Sequence, residues 1–180
     1  FTGASGTGLS QEQLGRLGAF TFSGLVLGIL ATGPLADRFG AKPFAIAGNV
    51  LLACGLIVTA WSPTYEILLA ANFFFGFGAG VLDMVLSPVV SALNPEERTS
   101  SMNWLHSFYC VGATLTVLAG TAALQVGISW RMASLLLLAL PVLLIFTLGR
   151  AKFPSMTSEN GERMQFRTLI KELWFIGALT

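Results

Sequence analysis

Apolar positions along this chain are gathered into long uncharged tracts instead of recurring at a spacing that leaves one polar face. No charged residue occurs from Leu17 to Ala36, from Pro43 to Tyr65, from Ile67 to Leu82, from Thr99 to Trp130, or from Met132 to Gly149. A membrane span needs about 20 mainly apolar residues to cross about 30 Å of hydrocarbon, and only helices or closed barrels satisfy their own backbone groups there. Barrel strands would alternate polar and apolar residues, and these tracts do not. The pattern predicts five membrane helices near 17–37, 44–61, 66–92, 100–126 and 129–150, with a sixth beginning near Arg167. The expected fold is all-α, a polytopic membrane helical bundle. Ser10 and Gln13 are spaced as a capping box at the start of the first helix, with Glu12 in its first turn.

Composition agrees with that class. Hydrophobic residues make up 54% and charged residues 11% of the chain, against about 25% charged in an ordinary soluble domain. Mean hydropathy is +0.74. Residues 1–11 lack the basic start and apolar middle of a cleavable leader, and read as a loop. Cys54 and Cys110 fall inside apolar tracts, where small buried side chains are the expectation and a disulfide or metal site is not.

Net charge is only +1, yet its distribution is lopsided. If loops alternate sides, Arg38, Lys42, Arg98, Arg150, Lys152, Arg163, Arg167 and Lys171 share one face, leaving Arg16 and Arg131 on the other. The positive-inside rule then makes the loops at 38–43, 93–99 and 151–167 cytoplasmic. It also accounts for the basic residues without nucleic-acid binding. Short connections predict antiparallel neighbours, and Ala151 to Gln165, with Pro154, Ser155, Ser158, Asn160 and Gly161, reads as a polar linker between two packing units. Gly76 and Gly80 stand one turn apart with Gly78 beside them, a spacing that lets helix backbones approach closely.

The turn between the first two spans is Gly33-Pro34-Leu35-Ala36-Asp37-Arg38-Phe39-Gly40-Ala41-Lys42. Gly33 leaves room for a neighbouring helix, Gly40 permits a tight turn with φ > 0, and Asp37 beside Arg38 and Lys42 supplies a breakable polar latch. This stretch resembles the signature loop of the major facilitator superfamily, Gly-x-Leu-Ala-Asp-Arg-x-Gly-Arg-Lys, agreeing at Gly33, Leu35, Ala36, Asp37, Arg38, Gly40 and Lys42. Ala41 departs from it where a basic residue is common. The resemblance implies a partial major facilitator fold, about helices two to six plus the start of helix seven. Residues 1–150 would be most of an N-terminal six-helix bundle lacking its first helix, 151–167 the cytoplasmic central loop, and 168–180 the start of the C-terminal bundle. The rest of its own transporter chain would complete it. The loop at Gly33, Asp37, Arg38, Gly40 and Lys42 would then be the gating loop.

Asp83 is the acid that lies deep in a span, where an ionised side chain is costly by about 2.5–3.5 kcal/mol on insertion scales, so it marks a functional site by default. Binding a proton would remove that charge. Asn103 and His106, with Cys110 and Thr114, make a polar or small stripe along the next helix, and an imidazole there can donate, accept or titrate. Leu82-Asp83-Met84-Val85-Leu86-Ser87-Pro88 and Asn103-Trp104-Leu105-His106-Ser107-Phe108, with Gly112 beyond, are similar to stretches of the superfamily's fucose permease branch. That resemblance implies proton coupling at Asp83 and substrate binding at Asn103 and His106, in a sugar:proton symporter. Asp for Glu, Ser87 for Asn and His106 for Gln are departures. Trp104, Phe108 and Tyr109 offer rings for stacking against a sugar.

Gly112 to Gly120 contains no proline, and Asn72 stands where many proton-antiporting relatives carry a basic residue. Both lean away from drug export. The expectation is a multi-pass protein of an inner or plasma membrane, moving a sugar or similar small polar solute by alternating access with proton symport and with no cofactor. Its partners are the solute, the proton and the lipid bilayer. The alternatives are a drug or organic anion carrier, or a non-transporting sensor on the same bundle. No nucleophile-base set, metal cluster or phosphate loop suggests an enzyme.

Overall fold

A computed structural model describes residues 8–153, and these are helical almost throughout. Six helices follow in chain order: α1 Gln11–Phe39, α2 Ala41–Trp61, α3 Tyr65–Leu93, α4 Arg98–Gln125, α5 Trp130–Leu137 and α6 Ala139–Arg150. With α5 and α6 taken together, they supply five segments long and apolar enough to cross a membrane. The expected linker beyond Phe153, the sixth span near Arg167 and the segment at 168–180 lie outside the described residues.

Local chemistry explains the boundaries. Ser10 caps α1 through its hydroxyl, which accepts from Gln13 N, while the Gln13 side chain accepts from Ser10 N at 2.9 Å. Thr64 and Ser129 cap α3 and α5 the same way, accepting from Ile67 N and Met132 N. Each hydroxyl satisfies one of the amide donors that a helix start leaves open. Between α1 and α2 a single residue makes the turn, Gly40, with φ 84° and ψ 162°.

The fifth span departs from the single helix expected over 129–150, because it breaks at Leu138 into α5 and α6. Pro141 supplies the cause. It has no N–H for the carbonyl of Leu137, and its ring crowds that carbonyl. Pro34 and Pro88 interrupt the ladders of α1 and α3 in the same way without ending them.

Packing also departs from the simple neighbour order. α1 lies chiefly against α3, with α2 on another side of α3, while the sequence neighbours α1 and α2 meet sparsely. Small residues decide this. Gly24, Gly28, Thr32 and Ala36 form the buried stripe of α1, and Gly76, Gly78 and Gly80 are buried on α3. A Cβ on Gly24 would stand 2.1 Å from the Phe73 carbonyl oxygen, and one on Gly76 would stand 1.9 Å from that of Thr21. The backbones therefore touch, as small-residue packing in membranes requires. On the other side of α3, a Cβ on Gly78 would lie 2.8 Å from the Gly48 oxygen of α2.

α4 has no buried residue, and large apolar side chains such as Leu115, Val117 and Leu118 point outward. Such a surface suits a hydrocarbon solvent, which gives apolar side chains no reason to hide. The same reasoning corrects the expectation for the thiols: Cys54 and Cys110 are both exposed and unbonded.

Candidate functional site

Asp83 lies on the middle stretch of α3, exposed on the surface that faces α4. One turn further on, the Ser87 hydroxyl donates to the Asp83 backbone oxygen at 3.3 Å, and Pro88 offers no N–H to Met84. The helix is thus loosened immediately beyond the acid. Among the described residues, no cation lies within ion-pair distance of its carboxylate.

A cavity of about 370 Å³ opens here between α2, α3 and α4. Its size falls within the range of small-molecule sites. Leu52, Ala79, Leu82, Leu86 and Leu105 make its walls apolar, and Asp83, Ser87, His106 and Tyr109 supply its polar groups. The structure therefore brings Asp83 and His106 together from different helices. Asn103 is not part of that lining; it borders a separate cleft of about 170 Å³ with Ser100, Trp104 and Ser107. Trp104 and Phe108 pair with each other, ring centroids 5.9 Å apart, leaving Tyr109 as the ring of that trio that faces the cavity.

Ser87 carried only a weak signal in the sequence, as a departure from an amide, and Leu52 carried none, since nothing marks one leucine among many as a cavity wall. Asn72 is taken up by packing. It donates to Leu68 O at 2.8 Å and lies 3.4 Å from the Thr21 hydroxyl on α1. Asn49, buried on α2, donates to Ala45 O, while its own Oδ1 meets no partner among the described residues.

The signature turn divides into two parts. Asp37 and Arg38 are exposed, and Arg38 lies over the Phe39 ring at 5.5 Å. Lys42 turns the other way and donates to Gly149 O and Ala151 O, each at 2.9 Å. The expected latch of Asp37 with Arg38 and Lys42 is therefore absent among the described residues, because the carbonyls at the end of α6 hold the lysine. Gly33 does make room for a neighbour: a Cβ there would stand 3.1 Å from the Met84 methyl.

Five apolar spans, three of which line a solute-sized cavity, define a multi-pass integral membrane protein with a place for a small molecule. The family model of the Major Facilitator Superfamily matches residues 4–179, and the chain belongs to that family, whose members are transporters. It is 30% identical over 166 residues to the 4-hydroxybenzoate transporter PcaK of Pseudomonas aeruginosa, covering 88% of this chain and 36% of that protein. It is 31% identical over 139 residues to monosaccharide-sensing protein 1 of Arabidopsis thaliana, covering 76% and 19%. With the multidrug resistance protein MdtL of Shewanella oneidensis it shares 30% identity over 109 residues, covering 60% and 28%. The chain thus spans between about a fifth and a little over a third of these relatives' lengths.

Proposed function

We propose that this chain contributes the solute cavity of a proton-coupled carrier that takes up a sugar or similar small neutral polar molecule by alternating access. The observation that carries this reading is the shared cavity of Asp83 and His106. Asp83 is the proton carrier: apolar walls make a bare carboxylate costly there, and a proton or a solute hydroxyl relieves that cost. His106 hydrogen-bonds the solute, the Tyr109 ring packs against its apolar face, and Asn103 offers an amide from the separate cleft on the other flank of α4. Asp37, Arg38 and Gly40, at the signature turn, belong to the gate on the basic face.

A second reading, an organic anion carrier, draws support from the similarity to the 4-hydroxybenzoate transporter. Against it, the cavity lining includes no arginine or lysine among the described residues to hold a carboxylate. The sensor reading draws on the similarity to the monosaccharide-sensing protein and predicts binding without flux.

The test is uptake into proteoliposomes under an imposed proton gradient, with labelled sugars and labelled 4-hydroxybenzoate offered in parallel. The protein is used as expressed from its gene, with and without Asp83→Asn. Sugar uptake that follows the gradient, and that Asp83→Asn abolishes while leaving exchange intact, supports the proposal. Gradient-driven uptake of 4-hydroxybenzoate alone, or coupling unchanged in Asp83→Asn, overturns it.

A further inference from the structure

α2 and the fifth span run antiparallel, and each end of the pair carries the same device. At the basic face, Lys42, the second residue of α2, donates to Gly149 O and Ala151 O at the end of α6. At the opposite face, Arg131, the second residue of α5, donates to Ser62 O at 2.9 Å, and Ser62 is the C-cap of α2. The last carbonyls of a helix have no partner within it, and the partial negative charge there attracts a cation. Each helix thus lends a cation from its first turn to the other's last turn.

From this reciprocity we infer that Lys42 and Arg131 are positioning residues, which hold α2 and the fifth span as one body and fix the direction in which the chain leaves α6. The apolar packing beneath Lys42 has the same bias. Ala36, Ala41, Ala45, Val85 and Val89 form a buried cluster around the signature turn, and Leu148 and Phe153 pack against it. The turn and the end of α6 are therefore seated on one core, with the lysine closing the seam above. The basic position at 42 acts inside this bundle, whereas Asp37 and Arg38 face outward. This holds whatever the solute is, and goes beyond the transport reading.

Two measurements test it on the protein as expressed from its gene. In the unaltered protein, a short acetic anhydride pulse followed by mass spectrometry compares Lys42 with the exposed Lys152. Lys42 should react about tenfold more slowly, the factor that one charged hydrogen bond is worth; equal rates overturn the inference. Second, with Cys54 and Cys110 replaced by Ser, maleimide labelling is followed at Ala151→Cys and Ser62→Cys. Lys42→Met should speed labelling at 151 several-fold and Lys42→Arg should restore it. Arg131→Met should act at 62 and leave 151 unchanged. Unchanged labelling at 151 in Lys42→Met overturns the inference, and so does acceleration at both sites by either variant, which reports general loosening. Should Lys42→Met fail to fold, the acetylation comparison decides alone.

Discussion

Gly76 sits where α1 and α3 come closest, so Gly76→Ala is the sharpest available probe of the packing. An added Cβ would meet the Thr21 carbonyl oxygen at 1.9 Å and the Thr21 carbonyl carbon at 2.8 Å, whereas ordinary contact begins at 3.4 Å. The shortfall is about 1.5 Å, and neither partner is the far end of a flexible side chain, so the helices themselves must separate. Separation is resisted nearby: a Cβ on Gly80 would stand 2.1 Å from Leu25 O, and those on Gly24 and Gly28 would stand 2.1 Å and 2.4 Å from Phe73 O and Phe77 O. Four close approaches on one seam open together, and dispersion between the backbones falls steeply with distance. Overpacking costs about 1–3 kcal/mol in ordinary cores, and a rigid backbone partner puts this site at the top of that range. Gly18, on α1, has nothing within 4 Å of its would-be Cβ, and Ala there should be neutral or helpful because alanine is the better helix former. Thermal unfolding in detergent, followed by loss of the monodisperse chromatographic peak, reads both variants. At about 2–4 °C per kcal/mol for a chain of this size, Gly76→Ala should lower the midpoint by about 6–12 °C. A midpoint within one degree of the parent, or equal damage from Gly18→Ala, refutes the interlocked seam.

Gly40→Ala should destabilise by about 1–3 kcal/mol, the range for a residue forced into a sparsely allowed region. Since nothing lies within 4 Å of its would-be Cβ, the penalty is one of backbone conformation alone. Gly40→Asn should be no milder, because ψ 162° lies outside the left-handed region that asparagine tolerates; a parental melting midpoint for either variant counts against the turn geometry. Ser10→Ala should free the amide of Gln13, a cap worth about 1 kcal/mol. Hydrogen exchange at Gln13 and Leu14 should then quicken about fivefold, and unchanged exchange means the box is idle.

Much of this fold was legible because a bilayer asks for one thing that a sequence states openly: uncharged length. The five tracts between charges landed on the five spans, and the Ser10–Gln13 box marked the start of α1. Gly76 and Gly80 announced a close seam, yet not its partner. That it is α1 follows from the matching Gly24 and Gly28, an identical spacing hidden inside the first tract. The break at Leu138 was legible in Pro141, but uncharged length alone gave the proline no weight. Burial of the cysteines was misjudged because apolar does not mean interior when the solvent is itself apolar.

The site shows a finer limit. Asp83 and His106 stood out because ionisable groups are rare at membrane depth, but that they line one cavity came only with the structure. Asn103 was joined to His106 by a spacing of three, and there the reasoning was too coarse. Three residues leave about 60° of rotation around a helix, enough to set two side chains on either side of an edge. Leu105, His106 and Tyr109 look into the cavity, while Ser100, Asn103, Trp104 and Ser107 line the cleft on the other flank of α4. The polar stripe of α4 therefore straddles a boundary instead of filling a face. Lys42 teaches the complementary lesson. Adjacent charges in a sequence suggest a local pair, but the carbonyls at the end of α6, more than a hundred residues away in the chain, offered the lysine two acceptors at 2.9 Å. Helix ends advertise no charge in the sequence, and a pattern read from charged residues alone passes over them.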